Sequence, residues 1–372
     1  MKTNTRYKLN QLAVIFTAWL LIGFFLSVYD HLVLVSENSL GLVEGYSFVK
    51  ILVRNMFGAF IGALIGGSIL VFYVNEKFQE KPYAYTILVV SVSFVLIIAF
   101  ITLLLGVLIV PGQTGKPLSD PASLAAFKNF VTDSHPIKNG LAWAFVVAVT
   151  QLFLQVNSKF GQRNFWNIIR GKYNTPKEEQ RIFMSMDIDS STSIAEKLGD
   201  ETYHSFLKDF FSDITQPILN NKGNIYQYVG DEVIVSWTYE EGIEALHCIQ
   251  CFFDIKLHIQ NKREKYLKKY GLEPTFKAGM HCGKVVAGEI GIIKRDITYS
   301  GDVLNTVSWI QGMCKNFKKE LIASADLLKE LRLPAGKVGI IGKYIEKPLG
   351  RIELRGKNQK MLLKALESLT RE

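Results

Sequence analysis

Four apolar runs inside the first 157 residues constrain this chain more than any other feature. Residues 12–35, 51–74, 85–110 and 141–156 are each almost free of charge, and the third has no charged side chain in 26 positions. A helix needs about 20 apolar residues to cross a bilayer. Backbone polar groups in lipid must also be satisfied within the segment, so each run predicts a helix. The fourth is short but uncharged. The first is too long for a signal peptide, and no small-residue cleavage site follows it. Residues 1–156 therefore read as a transmembrane domain of four helices in contact with membrane lipid.

Lysine and arginine set the expected direction of the spans. Lys2, Arg6 and Lys8 precede the first, whereas residues 36–47 contain no basic side chain. Lys77 and Lys81 occupy the second loop, and Lys159, Arg163 and Arg170 follow the last span. The third loop, 111–138, holds three lysines. The pattern predicts a multi-pass protein of the inner or cell membrane with both termini cytoplasmic. Arg54, Asp30 and His31 lie near span ends, where snorkelling accounts for them. Gly58, Gly62, Gly66 and Gly67 form a small-residue stripe suited to close helix packing. An anchor or sensor fits these features better than a transporter.

The net charge of +9 is spread over both halves of the chain. That distribution gives no nucleic-acid stripe and calls for no nucleic-acid partner. All four cysteines, Cys248, Cys251, Cys282 and Cys314, fall in the second half and read as reduced thiols. Residues 157–180 form a linker. Phe160, Phe165, Trp166, Ile168 and Ile169 alternate there with basic residues, which predicts a short amphipathic helix ended before Pro176.

From residue 181 the pattern becomes that of a folded α+β domain. Residues 181–188 read as a buried strand ending in an acid, Asp187. Ser190, Ser191 and Thr192 then open a helix closed by Gly199, and a helix N-terminus favours anions such as phosphate. Tyr203, Phe206, Leu207, Phe210, Phe211 and Ile214 give the next helix one apolar face. Residues 225–229 and 233–237 flank Gly230-Asp231-Glu232 as a hairpin, with Asp231 at its tip. If the two strands that carry Asp187 and Asp231 are neighbours, their carboxylates converge. Such a pair beside a phosphate-friendly helix start suits two magnesium ions. On spacing alone a plainer reading holds, with Asp231 a turn residue and Asp187 a helix-initiating acid.

Four ordered segments carry a resemblance: FMSMDIDSST, YVGDEVIVSW, FKAGMHCGKVVAGEIG and YSGDVLNTV. Together they resemble the catalytic domain of class III adenylate and guanylate cyclases, over about residues 181–365. The resemblance implies a ferredoxin-like domain at 181–372, working as a head-to-tail homodimer with the active sites at its interface. It implies that Asp187 and Asp231 hold two Mg2+ or Mn2+ ions, with the backbone carbonyl of Ile188 as a further ligand. Asn305 matches an asparagine that orients the ribose and the reacting groups. Lys357, in Arg355-Gly356-Lys357, matches a lysine that contacts the triphosphate. Gln227 and Thr298 fall where the family reads the purine; the substrate implied is ATP, with GTP as the alternative.

The family pattern breaks in two places: the purine-reading pair, usually Lys with Asp or Thr for ATP and Glu with Cys or a similar residue for GTP, is Gln227 and Thr298 here, and the second break is more serious. Four residues after Asn305 the family places a transition-state arginine, and this chain has Trp309, whose indole offers no positive fork to phosphate. A weakened, nucleotide-binding relative therefore stands beside the enzymatic reading. His247-Cys248-x-x-Cys251 lacks a second ligand pair at zinc spacing, and residues 242–257 read as a core helix. The basic run 262–269 reads as a solvated helix end.

Overall fold

The apolar runs form long helices, as a backbone without water to bond must. In the computed structural model, described over residues 3–36, 47–74, 77–78, 81–132, 134–160, 162–293, 295–331, 340–341, 343–353 and 360–369, the chain divides into units 5–165 and 166–372. The first contains α1 (Thr3–Ser36), α2 (Phe48–Ser68), α3 (Tyr83–Thr114), α4 (Pro121–Thr132) and α5 (Ser134–Phe160). A π-helical turn, Ile69–Val74, extends α2. Four stretches are long and apolar enough to cross a membrane: Lys8–Ser36, Phe48–Val74, Tyr83–Phe100 and Pro121–Ser158.

These helices meet around Ile15, Trp19, Ala63, Leu70, Val147 and Leu154. The indole of Trp19 donates to Thr150 Oγ1 at 2.9 Å, so its polar edge is satisfied inside the unit. Only part of the glycine stripe is used for packing. A Cβ on Gly66 would lie 3.0 Å from the Phe94 ring and one on Gly67 3.1 Å from Leu12, whereas Gly58 and Gly62 face open space. Asp30 pairs with Lys138 at 2.8 Å, a more specific arrangement than snorkelling. The side chain of Arg54 lies outside the described residues. The expected third loop is largely helical: α3 runs through Pro111, and α4 begins at Pro121, where a missing N–H costs a helix nothing.

The boundary between the units falls within α6 (Gln162–Ile169), the amphipathic helix expected in the linker. Strand β1 (Lys177–Ile188) follows, then α7 (Ser191–Leu198) and α8 (Asp200–Asn220), then β2 (Asn224–Val229) and β3 (Glu232–Thr238). Next come α9 (Tyr239–Ile243), α10 (His247–Gln260), α11 (Arg263–Tyr270), β4 (Phe276–Ile290), β5 (Asp296–Ser300) and α12 (Asp302–Phe317). The unit ends with β6 (Leu321–Ser324), α13 (Ala325–Glu330), β7 (Ile340–Ile341), β8 (Tyr344–Glu353) and β9 (Lys360–Ser368). The helix expected over 242–257 is broken, because Ala245 and Leu246 both adopt positive φ between α9 and α10.

The sheet order is β2-β3-β1-β4-β6-β9-β8-β7, with β5 paired to β4. Its first four strands, linked βαββαβ with antiparallel β1–β3 and β1–β4 ladders, are the ferredoxin-like core. β1 starts earlier than its apolar run because residues 177–180 pair with 284–287 of β4. On one face Met184, Met186 and Ile188 meet Phe206, Phe210 and Ile214 of α8 and Phe252 of α10. Burial of each such side chain contributes about 1.5–3 kcal/mol. Cys248 and Cys251 lie in this core, and all four cysteines are free and buried. Burial pushes the Cys248 thiol up to about 12 and Cys282 to about 11, which suits inert core residues.

The other face is covered by α12, which approaches β4 closely at Gly279. A Cβ there would lie 2.3 Å from the backbone nitrogen of Gln311 and 2.7 Å from the carbonyl oxygen of Val307. Gly279→Ala is expected to push α12 outward and destabilise the unit by roughly 1–3 kcal/mol. Thermal melting of the detergent-solubilised chain reads this out, and an unchanged midpoint would show that α12 shifts freely.

Candidate active site

The two candidate acids occupy neighbouring ends of one sheet. The antiparallel β1–β3 register sets Asp187 opposite Glu232, so the β2–β3 turn lies beside the end of β1. Gly230 takes the positive φ of 62° that this turn requires. Asp231 follows it, and its carboxyl shares a hydrogen bond with that of Asp187. Burial, then the hydrogen bond and charge of Asp231 and the charge of Glu232, push the Asp187 carboxyl up to about 7. Opposing this, Gln311 of α12 donates from Nε2 to Asp187 Oδ2 at 3.3 Å.

Further groups ring the pair. Ser185, one strand step before Asp187 on the same face, donates to Glu232. The Tyr203 phenol at the start of α8 lies close enough to Asp231 and Asp187 that burial and both charges raise its pKa, while Ser191 hydrogen-bonds to it. Lys277, opposite Asp187 in the β1–β4 ladder, is taken up in an ion pair with Asp189. Gln311, Tyr203 and Lys277 escaped the sequence reading. Gln311 sits far along the chain with no motif around it, and Tyr203 looked like part of an apolar helix face.

The remaining candidates fall into separate groups. Ile188 ends β1 with its side chain in the core, leaving its backbone at the strand end beside Asp187. Ser190 adopts φ 56°, and Ser191 and Thr192 begin α7, so all three lie at the turn that follows the acid. Gln227 is exposed on β2, and Thr298 on β5 donates to the Gly288 carbonyl at 3.4 Å. The rings of Tyr226 and Tyr299, next to them in sequence, meet at 4.9 Å and join these two strands. Asn305 is exposed on α12, six positions before Gln311 and so about 9 Å away along the helix axis. Arg355 and Lys357 lie outside the described residues. Trp309 packs against Ile310, Cys314, Ile322 and Leu363, so its indole belongs to a hydrophobic cluster.

Among the described residues no group of three or more His, Cys, Asp or Glu side chains is placed to hold a metal ion. The donor set is a carboxylate pair that repels itself at neutral pH. Such a pair fits a hard divalent cation whose other ligands come from substrate phosphates and water.

The raised Asp187 pKa has a consequence for stability. A carboxyl whose folded pKa exceeds its unfolded value of about 3.9 makes the fold lose stability as pH rises from about 4 to 7. In metal-free protein at pH 8, Asp187→Asn is therefore expected to raise stability by roughly 1–2 kcal/mol, allowing for solvent screening of a half-exposed pair. The gain disappears below pH 4. Denaturant titrations of both proteins at the two pH values test this, and a variant less stable at pH 8 would contradict it.

Residues 174–364 match the adenylate and guanylate cyclase catalytic domain. Adenylate cyclase 2 of Rhizobium meliloti (strain 1021) is 34% identical over 233 residues, which cover 62% of this chain and 62% of that protein. The adenylate cyclase of Anabaena cylindrica is 27% identical over 150 residues, covering 40% of this chain and 30% of its own length. The chain thus spans less than two thirds of these relatives. A bacterial light-regulated adenylyl cyclase superposes with a TM-score of 0.51 at 20% identity, over 63% of this chain and 66% of that one, and so shares the fold. With its profile match covering half of its length, this chain belongs to the adenylate and guanylate cyclase catalytic domain family.

Proposed function

We propose that this protein is a membrane-anchored nucleotidyl cyclase that converts ATP to cyclic AMP and pyrophosphate. The meeting of the Asp187 and Asp231 carboxyls at one sheet end, in a domain of this family, carries the reading. The adenylate cyclases among its relatives favour ATP over GTP. In the reaction the ribose 3′ oxygen attacks the α-phosphate and pyrophosphate leaves. Asp187, Asp231 and the Ile188 carbonyl would hold two Mg2+ or Mn2+ ions. When bound, these ions supply charge neutralisation at the attacking and leaving oxygens.

The chain's own residues bind and orient the substrate. Ser190, Ser191 and Thr192 offer hydroxyl and backbone donors to the triphosphate at the start of α7. Arg355 and Lys357 add positive charge to the same phosphates. Gln227 presents both a donor and an acceptor to the purine, and Thr298 presents a hydroxyl. Asn305 orients the ribose. Gln311, and not Asn305, is the residue of α12 that bonds Asp187, which supports a site completed by the Asn305 of a second copy, with a homodimer as the working unit. Holding the reacting groups in line supplies most of the rate gain. The anchor places both termini in the cytoplasm of a cell with the protein in its inner or cell membrane.

One observation favours a second reading, a nucleotide-binding signalling module of low activity. Trp309 occupies the place of a charge-stabilising arginine and packs into a hydrophobic cluster. Losing one such donor costs about 3–4 kcal/mol, or 10²–10³ in rate.

The full chain in detergent, given ATP or GTP with Mn2+, is expected to yield a cyclic nucleotide. Asp187→Ala and Asp231→Ala are each expected to abolish this while the protein still melts cooperatively; full activity in either variant would refute the metal assignment. Trp309→Arg is expected to raise kcat by roughly 10²-fold. An unchanged rate, in a variant that melts normally, would mean that another group already supplies the charge or that the site does not catalyse.

A further inference from the structure

A buried guanidinium ties the end of the linker to the sheet. Arg181, on β1, is 5% exposed, and a charge so enclosed is costly unless its hydrogen bonds are met. Its Nε donates to Glu179 Oε2 at 2.8 Å. Its Nη2 pairs with the same oxygen at 2.7 Å and donates to the Tyr173 hydroxyl at 3.0 Å. That hydroxyl donates in turn to Glu179 at 3.2 Å and accepts from Lys172 Nζ at 3.0 Å. Tyr173 is itself buried. The proposed reaction uses none of these groups.

While its edge is bonded, the guanidinium lies over the Tyr299 ring, 4.7 Å from the centroid. A lysine could carry the charge but not both the fork and the stack. Tyr299 packs with Phe183, Val285 and Val303, and its amide donates to the Tyr226 hydroxyl of β2 at 3.4 Å. Side chains alternate along a strand, so Tyr299 turned inward leaves Thr298 on the opposite face of β5. The linker also reaches this ladder through its backbone. Thr298 pairs with Gly288 and Ile297 with Glu289. The Tyr173 carbonyl accepts from the Glu289 amide at 3.1 Å, and a Cβ on Gly288 would lie 3.5 Å from Pro176. Tyr173 thus holds the neighbourhood of Thr298 twice, by its carbonyl on β4 and, through Arg181, by the ring on β5.

We propose that Arg181 is a positioning residue for purine recognition: held by Tyr173 and Glu179, it seats Tyr299 and so fixes where Thr298 presents its hydroxyl. The only bond recorded for that hydroxyl among the described residues, to the Gly288 carbonyl, is long at 3.4 Å, so its aim is set by the backbone of β5. The end of the linker is then part of the apparatus that selects the base and not a spacer alone. This role rests on the reading of Thr298 as a purine contact in a nucleotide site, which Thr298→Ala tests separately.

Equilibrium binding of 3′-deoxy-ATP and 3′-deoxy-GTP, which lack the attacking hydroxyl, to the full chain in detergent with Mn2+ reads this without turnover. Tyr173→Phe keeps the buried ring and removes only its hydroxyl. It is expected to weaken 3′-deoxy-ATP about 3–10-fold, the effect of one hydrogen bond lost, and 3′-deoxy-GTP less, with the stoichiometry unchanged. Arg181→Lys, where it folds, is expected to weaken 3′-deoxy-ATP at least as much. In a Thr298→Ala background Tyr173→Phe is expected to add nothing, because its effect passes through that side chain. A merely structural role would lower the stoichiometry and the melting midpoint and leave Kd alone. An unchanged Kd in Tyr173→Phe therefore overturns the proposal, and so does a loss that persists in full beside Thr298→Ala. If Thr298→Ala alone binds both analogues as the wild type does, Thr298 is no purine contact and the role assigned to Arg181 goes with it. A wild-type chain that binds neither analogue brings down the nucleotide site itself, and this role too.

Discussion

The antiparallel ladder between β1 and β3 is the interaction on which the candidate site depends. It places the end of one strand beside the turn of the next hairpin, with Asp187 opposite Glu232. A slip of one residue would send Asp187 to the opposite face, among Met184, Met186 and Ile188. Register is held by burial on both faces of β1. Helices α8 and α10 cover one side, and Phe183 packs with Tyr299, Val303 and Val307 on the other.

That geometry is electrostatically costly. Burial, and then the hydrogen bond and charge of Asp231 with Glu232 close by, hold Asp187 far above its ordinary range. Structural ion pairs elsewhere in the unit are arranged in the opposite sense. Asp213, for example, accepts from Tyr266 at 2.9 Å and pairs with Lys262 at 2.5 Å and Lys265 at 3.2 Å, and these bonds draw its pKa down. The contrast separates an acid neutralised by lysines within the fold from an acid pair whose charges oppose each other. Perturbed carboxyls of the second kind mark functional sites more often than chance.

Trp309 shows how a departure from a family pattern can be absorbed structurally. Its indole joins Met313, Phe317, Leu349 and Ile352 around a small cluster between α12 and the β8–β9 hairpin. The position has become part of the packing, so regaining a charge there removes apolar contact as well as adding a donor.

The sequence by itself determined the division into helical and α+β halves, because apolar runs of membrane length and strand-length alternation are local properties of the chain. It also located Asp187 at a strand end and Asp231 in a turn, since Gly230-Asp231 flanked by β-branched residues leaves little else. Only the tertiary structure decided that the two acids meet, because strand pairing brings together residues more than 40 positions apart. Tertiary packing likewise chose Gln311 as the donor to Asp187 and Tyr203 as a neighbour, through the approach of α12 over Gly279 and the start of α8. The sequence reading assigned no helix between the third and fourth spans, and Pro121 sits where one begins. The stack of Arg181 on Tyr299 was likewise invisible in the sequence, because only strand pairing brings together two residues more than 100 positions apart.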